Sequence, residues 1–265
     1  MSKSFNILLI ICAIIVFLFI YLPIIMLILF AFNNSSLIIF PLKGFTFDWF
    51  EKLFGDRLIF LALKNSLIIS LTVTLISSIA GTLASIGIVR GEFPGKKAFN
   101  ILIILPLLVP GVIIGLGLLT FYKLFNIQLS LLTVIFGHCI FATSFVTLVV
   151  SASLYGFDKS LEEAAQDLGA SVLKTFFKIT LPNIFPGIIS GALFAFALSF
   201  DEYIITFLNI GANITVPLQI MSMIKFGLSP KINAFSTMMY VISISIVIIA
   251  VLIIFNKNRK KIRST

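Results

Sequence analysis

Two adjacent carboxylates, Asp201 and Glu202, are the side chains of this sequence best suited to attract a cation. Asp201 lies 15 residues beyond Pro186, or roughly 22 Å at the rise of an α-helix. We therefore expect both groups in the outer half of a bilayer, where acidic side chains usually face a water-filled path or a partner charge. The alternative is that they mark a helix end and are solvated among the outer headgroups.

A second set of residues has the fixed spacing of a docking segment. The set consists of Glu163, Ala164, Ala165, Gly169, Ile179, Leu181 and Pro182. Ser160 and Glu163 have the spacing of a capping box. Gly169 is expected to end the helix, because glycine readily takes the left-handed backbone conformation found after helix C-termini. We expect two short helices lying across the membrane face, the second of them ended by Pro182. The pattern also allows an ordinary surface helix-turn-helix.

The composition requires that most of the chain be surrounded by lipid. The 265 residues are 60% hydrophobic and 11% charged, with a mean hydropathy of +1.19. A soluble domain carries about a quarter charged residues. The net charge of +9 does not indicate nucleic-acid binding, because the basic residues cluster at the ends of apolar runs.

The apolar runs predict an all-α integral membrane protein with six transmembrane helices. Their approximate bounds are 7–32, 66–89, 101–121, 129–154, 184–208 and 234–255. The first run is longer than a signal-peptide core and predicts an uncleaved span. Pro106 and Pro110 interrupt the third run. We expect them to line a substrate path, since irregular helix is tolerated beside a cavity; a kink closed by packing is the alternative.

The positive charges predict the direction of the spans. Twelve of the 19 lysines and arginines fall on the side that holds both chain termini. Because cytoplasmic loops carry the excess of positive charge, we expect both termini in the cytoplasm. An even number of spans, such as six, fits that arrangement.

The segment around Glu163 resembles the EAA loop of ABC importer permeases, the binding-protein-dependent family. The resemblance implies a single MetI-like ABC transmembrane domain over residues 1–265, with a cytoplasmic coupling loop at 156–183. It implies that the seven residues of the docking pattern contact an ATP-binding cassette ATPase dimer. It further implies a second permease subunit that is a different homologous chain, an extracytoplasmic binding protein, and a bacterial inner-membrane location.

The resemblance extends over nearly the whole chain and is closest to the second permease subunit of spermidine/putrescine importers. It includes Ser199-Phe200-Asp201-Glu202 and the stretch 217–233. It implies polyamine uptake by alternating access, with a polyamine-binding protein as partner. Permeases for iron, thiamine or phosphonate carry similar segments and remain alternatives. A proton-coupled secondary carrier, or a scaffold that only docks an ATPase, is a further alternative from another class.

The sequence predicts no catalysis by this chain. The segment 91–97 approaches a Walker A loop but is one residue short and lacks the hydroxyl. ATP and magnesium are therefore expected on the partner ATPase, with no cofactor bound here. His138 is the only histidine and has no neighbours at metal-ligand spacing, so we expect a packed or hydrogen-bonded side chain and no metal site. The sequence also predicts contact with membrane lipid and no binding of nucleic acid.

Overall fold

The computed structural model describes residues 3–227 and 229–263, and the fold of these residues is helical. The long elements are α1 (Lys3–Ala31), α3 (Arg57–Arg90), α6 (Leu131–Tyr155), α9 (Leu181–Asp201) and α12 (Pro230–Arg263). The shorter ones are α2 (Asp48–Phe54), α4 (Lys96–Leu108), α5 (Gly111–Leu124), α7 (Ser160–Asp167), α8 (Val172–Thr175), a π-helix (Phe176–Thr180), α10 (Ile204–Asn209) and α11 (Val216–Phe226). The predicted domain 1–265 includes five residues outside the described ones.

Four described helices are long and apolar enough to cross a membrane. They are Phe5–Ala31, Arg57–Arg90, Leu131–Tyr155 and Val172–Asp201. The bent pair α4 and α5 makes a fifth if it is counted as one span. The prediction of a helical protein with several spans is therefore confirmed, whereas six spans and cytoplasmic termini stay predictions.

The chain forms two compact units, of which one comprises residues 1–60 and 219–265. Within it, α1 and α2 both contact α12. Lys231 Nζ donates to Asp56 Oδ2 at 2.6 Å, which joins the start of α12 to the residue that precedes α3. The hydrogen bond from Lys231 lowers the pKa of Asp56 below its usual value, because it stabilises the ionised carboxylate.

The other unit, residues 61–218, contains both predicted functional regions. Its core brings α3, α6 and α9 together around Val73, Val146 and Ile184. Small residues let these helices approach closely. A Cβ added at Gly191 would lie 3.3 Å from Val146 Cγ1, and one added at Gly187 would overlap Ser153. The α6–α9 pair is therefore a tightly packed support for whatever α9 carries.

The predicted third span, 101–121, is broken into two helices that meet at an angle of 105°. The break lies at Val109 and Pro110, and Pro110 is the residue before the first turn of α5. Pro106 lies inside α4 and does not interrupt it. Pro110 breaks the span because the residue before a proline is driven into an extended conformation, as Val109 is with ψ of 126°.

The second coupling helix does not end at Pro182, and that prediction is wrong. The segment Val172–Asp201 is one continuous helical stretch, in which Pro182 follows directly on the π-helix Phe176–Thr180. A proline lacks the amide that an α-helix requires and crowds the preceding turn. A widened turn just before it accommodates both effects, as helix distortions at such positions commonly do. The coupling segment is therefore built into the base of α9.

The predicted fifth span, 184–208, is also interrupted. Helix α9 ends at Asp201, Glu202 is extended with φ of −70° and ψ of 123°, and α10 begins at Ile204. The two candidate carboxylates therefore lie at a break between helices.

Candidate substrate and coupling sites

The short helix α10 is held by close contacts with α5 and α6. Its residues Ile205, Thr206 and Asn209 are buried. A Cβ at Gly115 would lie 2.7 Å from Leu208 Cδ1, and one at Gly137 would lie 2.9 Å from Ile205 Cγ2. Asn209 Nδ2 donates to the carbonyl of Gly115 at 3.1 Å. These contacts fix the position of the α10 N-terminus next to Glu202.

Both carboxylate oxygens of Glu202 accept hydrogen bonds from this N-terminus. Oε1 accepts from the amide of Ile205 at 3.0 Å, and Oε2 accepts from the amide of Thr206 at 2.9 Å. The hydroxyl of Thr206 lies 3.2 Å from the same Oε2. The first amides of a helix have no partner within it and carry partial positive charge. Glu202 therefore acts as a helix cap, and 15% of its side chain is exposed.

His138 on α6 completes a buried polar cluster around this cap. It is 1% exposed, with Nδ1 at 2.8 Å from Ser199 Oγ and Nε2 at 2.9 Å from Thr206 Oγ1. Nε2 also lies 3.4 Å from Glu202 Oε2. The prediction of a hydrogen-bonded histidine is confirmed. The cluster ties α6, the end of α9 and the start of α10 together.

Asp201 has a different environment from its neighbour. Its side chain is exposed, and it makes no hydrogen bond or ion pair with any residue that the structure describes. It lies on the wall of a cavity of about 680 Å³. The wall comprises Pro106, Leu107, Val109, Gly111, Ile114, Phe141, Phe145, Phe194, Ala197, Leu198, Asp201, Glu202, Tyr203, Ile204 and Ile205. The cavity thus joins an unpaired carboxylate to walls rich in aromatic and aliphatic side chains.

The structure brings three of the four predicted pathway residues to this cavity. Asp201, Glu202 and Pro106 line it, whereas Pro110 does not, although its neighbours Val109 and Gly111 do. Sequence reasoning treated the two carboxylates as equivalent and missed the partners of Glu202. The signal was present, because a histidine in an apolar span needs a polar partner.

The predicted coupling helix α7 ends as expected at Gly169. Gly169 has φ of +86°, and its amide donates to the carbonyl of Gln166 at 2.9 Å. The amide of Ala170 donates to the carbonyl of Ala165 at 3.0 Å. These two bonds are those of a Schellman motif, in which glycine takes the left-handed position at low steric cost.

The start of α7 differs from the predicted capping box. Ser160 is the first helical residue, and Lys159 precedes it without a side-chain cap. Asp158 Oδ1 accepts from the amide of Ser160 at 3.0 Å, and this bond lowers the pKa of Asp158. Glu163 pairs with Lys159 at 3.1 Å instead of bonding to Ser160. Asp158 takes the capping role because an aspartate two residues before an amide can form an Asx-turn.

The predicted docking residues form a largely exposed surface. Leu161 and Leu168 on α7 are 50% and 90% exposed. Glu163, Ala164, Gly169 and Pro182 are also exposed, and Ala165, Ile179 and Leu181 are partly buried. An exposed apolar helix face of this kind is available to a partner. In the described part of the chain, no three His, Cys, Asp or Glu side chains are grouped so that they could hold a metal ion.

Comparisons with known proteins agree on one family. Residues 74–264 match the sequence model of the protein family described as "Binding-protein-dependent transport system inner membrane component". The putrescine transport system permease protein PotI of Escherichia coli (strain K12) is 38% identical over 230 residues, covering 84% of this chain and 82% of the relative. The spermidine/putrescine transport system permease protein PotC of Haemophilus influenzae is 31% identical over 245 residues, covering 92% of this chain and 95% of the relative.

A solved structure shares the fold. It is a bacterial ABC transporter involved in the import of the acidic polysaccharide alginate, with a TM-score of 0.77, 20% identity and 95% coverage of both chains. The chain therefore belongs to the family of binding-protein-dependent transport system inner membrane components. It is a multi-pass membrane transport subunit with the MetI-like ABC permease fold, and it is not an enzyme.

Proposed function

We propose that this permease subunit moves polyamines, such as putrescine and spermidine, into the cytoplasm by alternating access. The observation that carries the proposal is Asp201, an exposed carboxylate without a partner among the described residues, on the wall of the 680 Å³ cavity. The similarity to putrescine and spermidine/putrescine transport system permease proteins supports the same solute class.

The chemistry of the cavity suits a flexible organic cation. An ammonium group gains a charge-assisted hydrogen bond from a carboxylate and a further attraction over the faces of aromatic rings. Phe141, Phe145, Phe194 and Tyr203 supply such rings in the cavity wall. The methylene chain of a polyamine packs against apolar wall while its charged end stays with Asp201, as lysine side chains do on protein surfaces.

Permeases of this family that carry another solute remain the main alternative. A phosphonate is an anion, and the carboxylate of Asp201 would repel it. Iron and thiamine are not opposed by the charge of the cavity. Uptake of radiolabelled putrescine and spermidine, with thiamine, iron and a phosphonate as competitors, separates these solutes in cells that lack their own polyamine importers.

The proposal predicts that Asp201→Asn slows polyamine uptake. A hydrogen bond to a charged group contributes about 1.5–3 kcal/mol, and a loss of about 1.4 kcal/mol is tenfold in an equilibrium constant. We expect the initial uptake rate to fall about tenfold at equal membrane abundance. The matched control is Glu51→Gln, which removes an exposed carboxylate of α2 outside the cavity. Unchanged uptake in Asp201→Asn would remove the physical argument for a cationic solute.

Energy for transport is proposed to come from an ATP-binding cassette ATPase dimer that holds ATP and magnesium. The exposed face of α7, with Leu161 and Leu168, is proposed to seat in a groove of the ATPase. Glu163, Ala164, Ala165, Gly169, Ile179, Leu181 and Pro182 are the proposed contacts. Uptake by the purified chain alone, driven by a proton or sodium gradient, would instead favour a secondary carrier.

The remaining assembly is proposed from the family and the charge distribution. The single transmembrane domain 1–265 has six spans, both termini in the cytoplasm, and the coupling loop 156–183 on that side. Its partners are a second, homologous permease chain and an extracytoplasmic polyamine-binding protein, in the bacterial inner membrane. Labelling of single cysteines placed at Glu51 and Glu163 by a membrane-impermeant thiol reagent tests the topology, since only the former is expected to react from outside.

A further inference from the structure

The two glutamates at the start of α7 have different environments. Glu163 is exposed, and among the described residues its carboxylate pairs only with Lys159, four residues earlier. Glu162 turns toward the protein, and 13% of its side chain is exposed. The carboxylate of Glu162 contacts two other segments of the chain, which Glu163 does not.

Each oxygen of Glu162 contacts a different segment. Oε1 accepts from the hydroxyl of Thr180 at 2.6 Å, and Thr180 is the last residue of the π-helix below α9. Oε2 lies 3.1 Å from Nε of Arg90, the last residue of α3. The contact with Nε is an ion pair without the alignment of a hydrogen bond. One carboxylate thus joins α7 to the last residue of α3 and to the residue that precedes α9.

Arg90 extends this contact to the segment that leads into α7. Its Nη2 donates to the carbonyl of Phe157 at 3.3 Å, and the guanidinium lies 5.8 Å from the centre of the Phe157 ring. We call Glu162, Arg90 and Thr180 the coupling joint. With 21% of the Arg90 side chain exposed, the joint is shielded enough for its charges to interact more strongly than a surface pair.

Packing holds α7 mainly through contacts of partly exposed residues with α8 and the π-helix. None of the described residues of α7 is buried. A cavity of about 230 Å³ adjoins the joint, lined by residues that include Ile86, Leu154, Gln166 and Phe176. Because close packing is what normally transmits displacement between helices, a helix without buried side chains needs another rigid connection. The coupling joint supplies it.

We propose that Glu162 is a positioning residue that transmits movement of α7 to α3 and α9. This inference rests on the proposed docking of α7 to an ATPase. A displacement of α7 moves both Arg90 and Thr180 with it, because the Glu162 carboxylate contacts both. From Thr180 in the joint, the continuous helix Val172–Asp201 leads to the Asp201 carboxylate in the cavity wall, over about 32 Å for 21 residues at 1.5 Å each.

The test separates ATPase binding from coupled transport. The complex is reconstituted in liposomes with the wild-type chain, Glu162→Ala, Arg90→Ala, the double variant, or the control Glu92→Ala. Glu92 is an exposed carboxylate two residues beyond Arg90. Three quantities are measured: affinity for the ATPase, rate of ATP hydrolysis, and radiolabelled putrescine taken up per ATP hydrolysed.

We expect Glu162→Ala to leave ATPase affinity unchanged and to lower uptake per ATP about tenfold, the factor that corresponds to 1.4 kcal/mol. The double variant should be no worse than the more impaired single variant, since residues in one network are not additive. Glu92→Ala should resemble the wild type. If Glu162→Ala does not accumulate, Glu162→Gln keeps the shape and the acceptor for Thr180, and a decrease of about threefold is expected.

Two results would overturn the inference. Unchanged uptake per ATP in Glu162→Ala would show that the joint transmits nothing. Loss of ATPase affinity in that variant would make Glu162 a docking contact. A wild-type chain that binds no ATPase, or shows no ATP-dependent uptake, would instead contradict the proposed function itself.

Discussion

Replacing Glu202 should destabilise the break between α9 and α10, in contrast to replacement of Asp201. Glu202→Ala removes the acceptor of two helix amides and of the Thr206 hydroxyl. Loss of a helix cap costs about 0.5–2 kcal/mol, and each hydrogen bond to a charged group contributes about 1.5–3 kcal/mol. Water from the cavity can replace part of these hydrogen bonds, so we expect the free energy of unfolding to fall by about 2–4 kcal/mol.

The loss should be measurable as a lower thermal midpoint of the purified protein in detergent. For a chain of this size, about 2–4 °C is lost for each kcal/mol, so Glu202→Ala should lower the midpoint by about 4–16 °C. Glu202→Gln keeps one acceptor oxygen and should lose about half as much. The matched control is Asp201→Asn, whose side chain has no partner to lose among the described residues and should leave the midpoint unchanged.

The outcome distinguishes a helix cap from a substrate ligand. If Glu202→Gln leaves the midpoint unchanged and slows polyamine uptake as much as Asp201→Asn does, Glu202 contacts the solute and the capping argument is wrong. If both variants lower the midpoint equally, the assignment of different roles to the two carboxylates is wrong.

Three further substitutions test other parts of the structure. Gly169→Val should uncouple transport from ATP hydrolysis, since valine is strained at φ of +86°; normal uptake with normal assembly would contradict the docking assignment. Gly187→Val should cost about 1–3 kcal/mol by overpacking against Ser153, seen as a lower thermal midpoint, whereas an unaltered midpoint would argue against the α6–α9 contact. Lys231 lowers the pKa of Asp56 in the folded protein. The pair therefore stabilises the fold fully at a pH above the pKa of the unfolded chain, near 3.8. This stabilisation is lost as the pH falls through the lower pKa of the folded protein. Asp56→Asn should therefore lose less stability than the wild type on acidification from about pH 5 to pH 3, and identical titration curves would refute the pair.

Local sequence was sufficient for several parts of this molecule. The length and apolarity of the runs indicated helices that cross a membrane, because a bilayer satisfies no backbone polar group. The spacing from Glu163 to Pro182 identified the family, and Gly169 identified the end of α7. Each of these features depends on residues close together along the chain, which the sequence displays directly.

Pairings between distant residues were decided by the tertiary structure. His138 bonds to Ser199 and Thr206, which lie 61 and 68 residues away in the sequence. Arg90 donates to the carbonyl of Phe157, at a separation of 67 residues. Asp201 and Glu202 are adjacent carboxylates with the same formal charge, and the sequence gives no reason to separate their roles. Only the break after α9 turns Glu202 onto the amides of α10 and leaves Asp201 facing the cavity. The continuity of the helix through Pro182 likewise depends on a widened turn whose geometry the fold supplies, since proline alone favours a helix end.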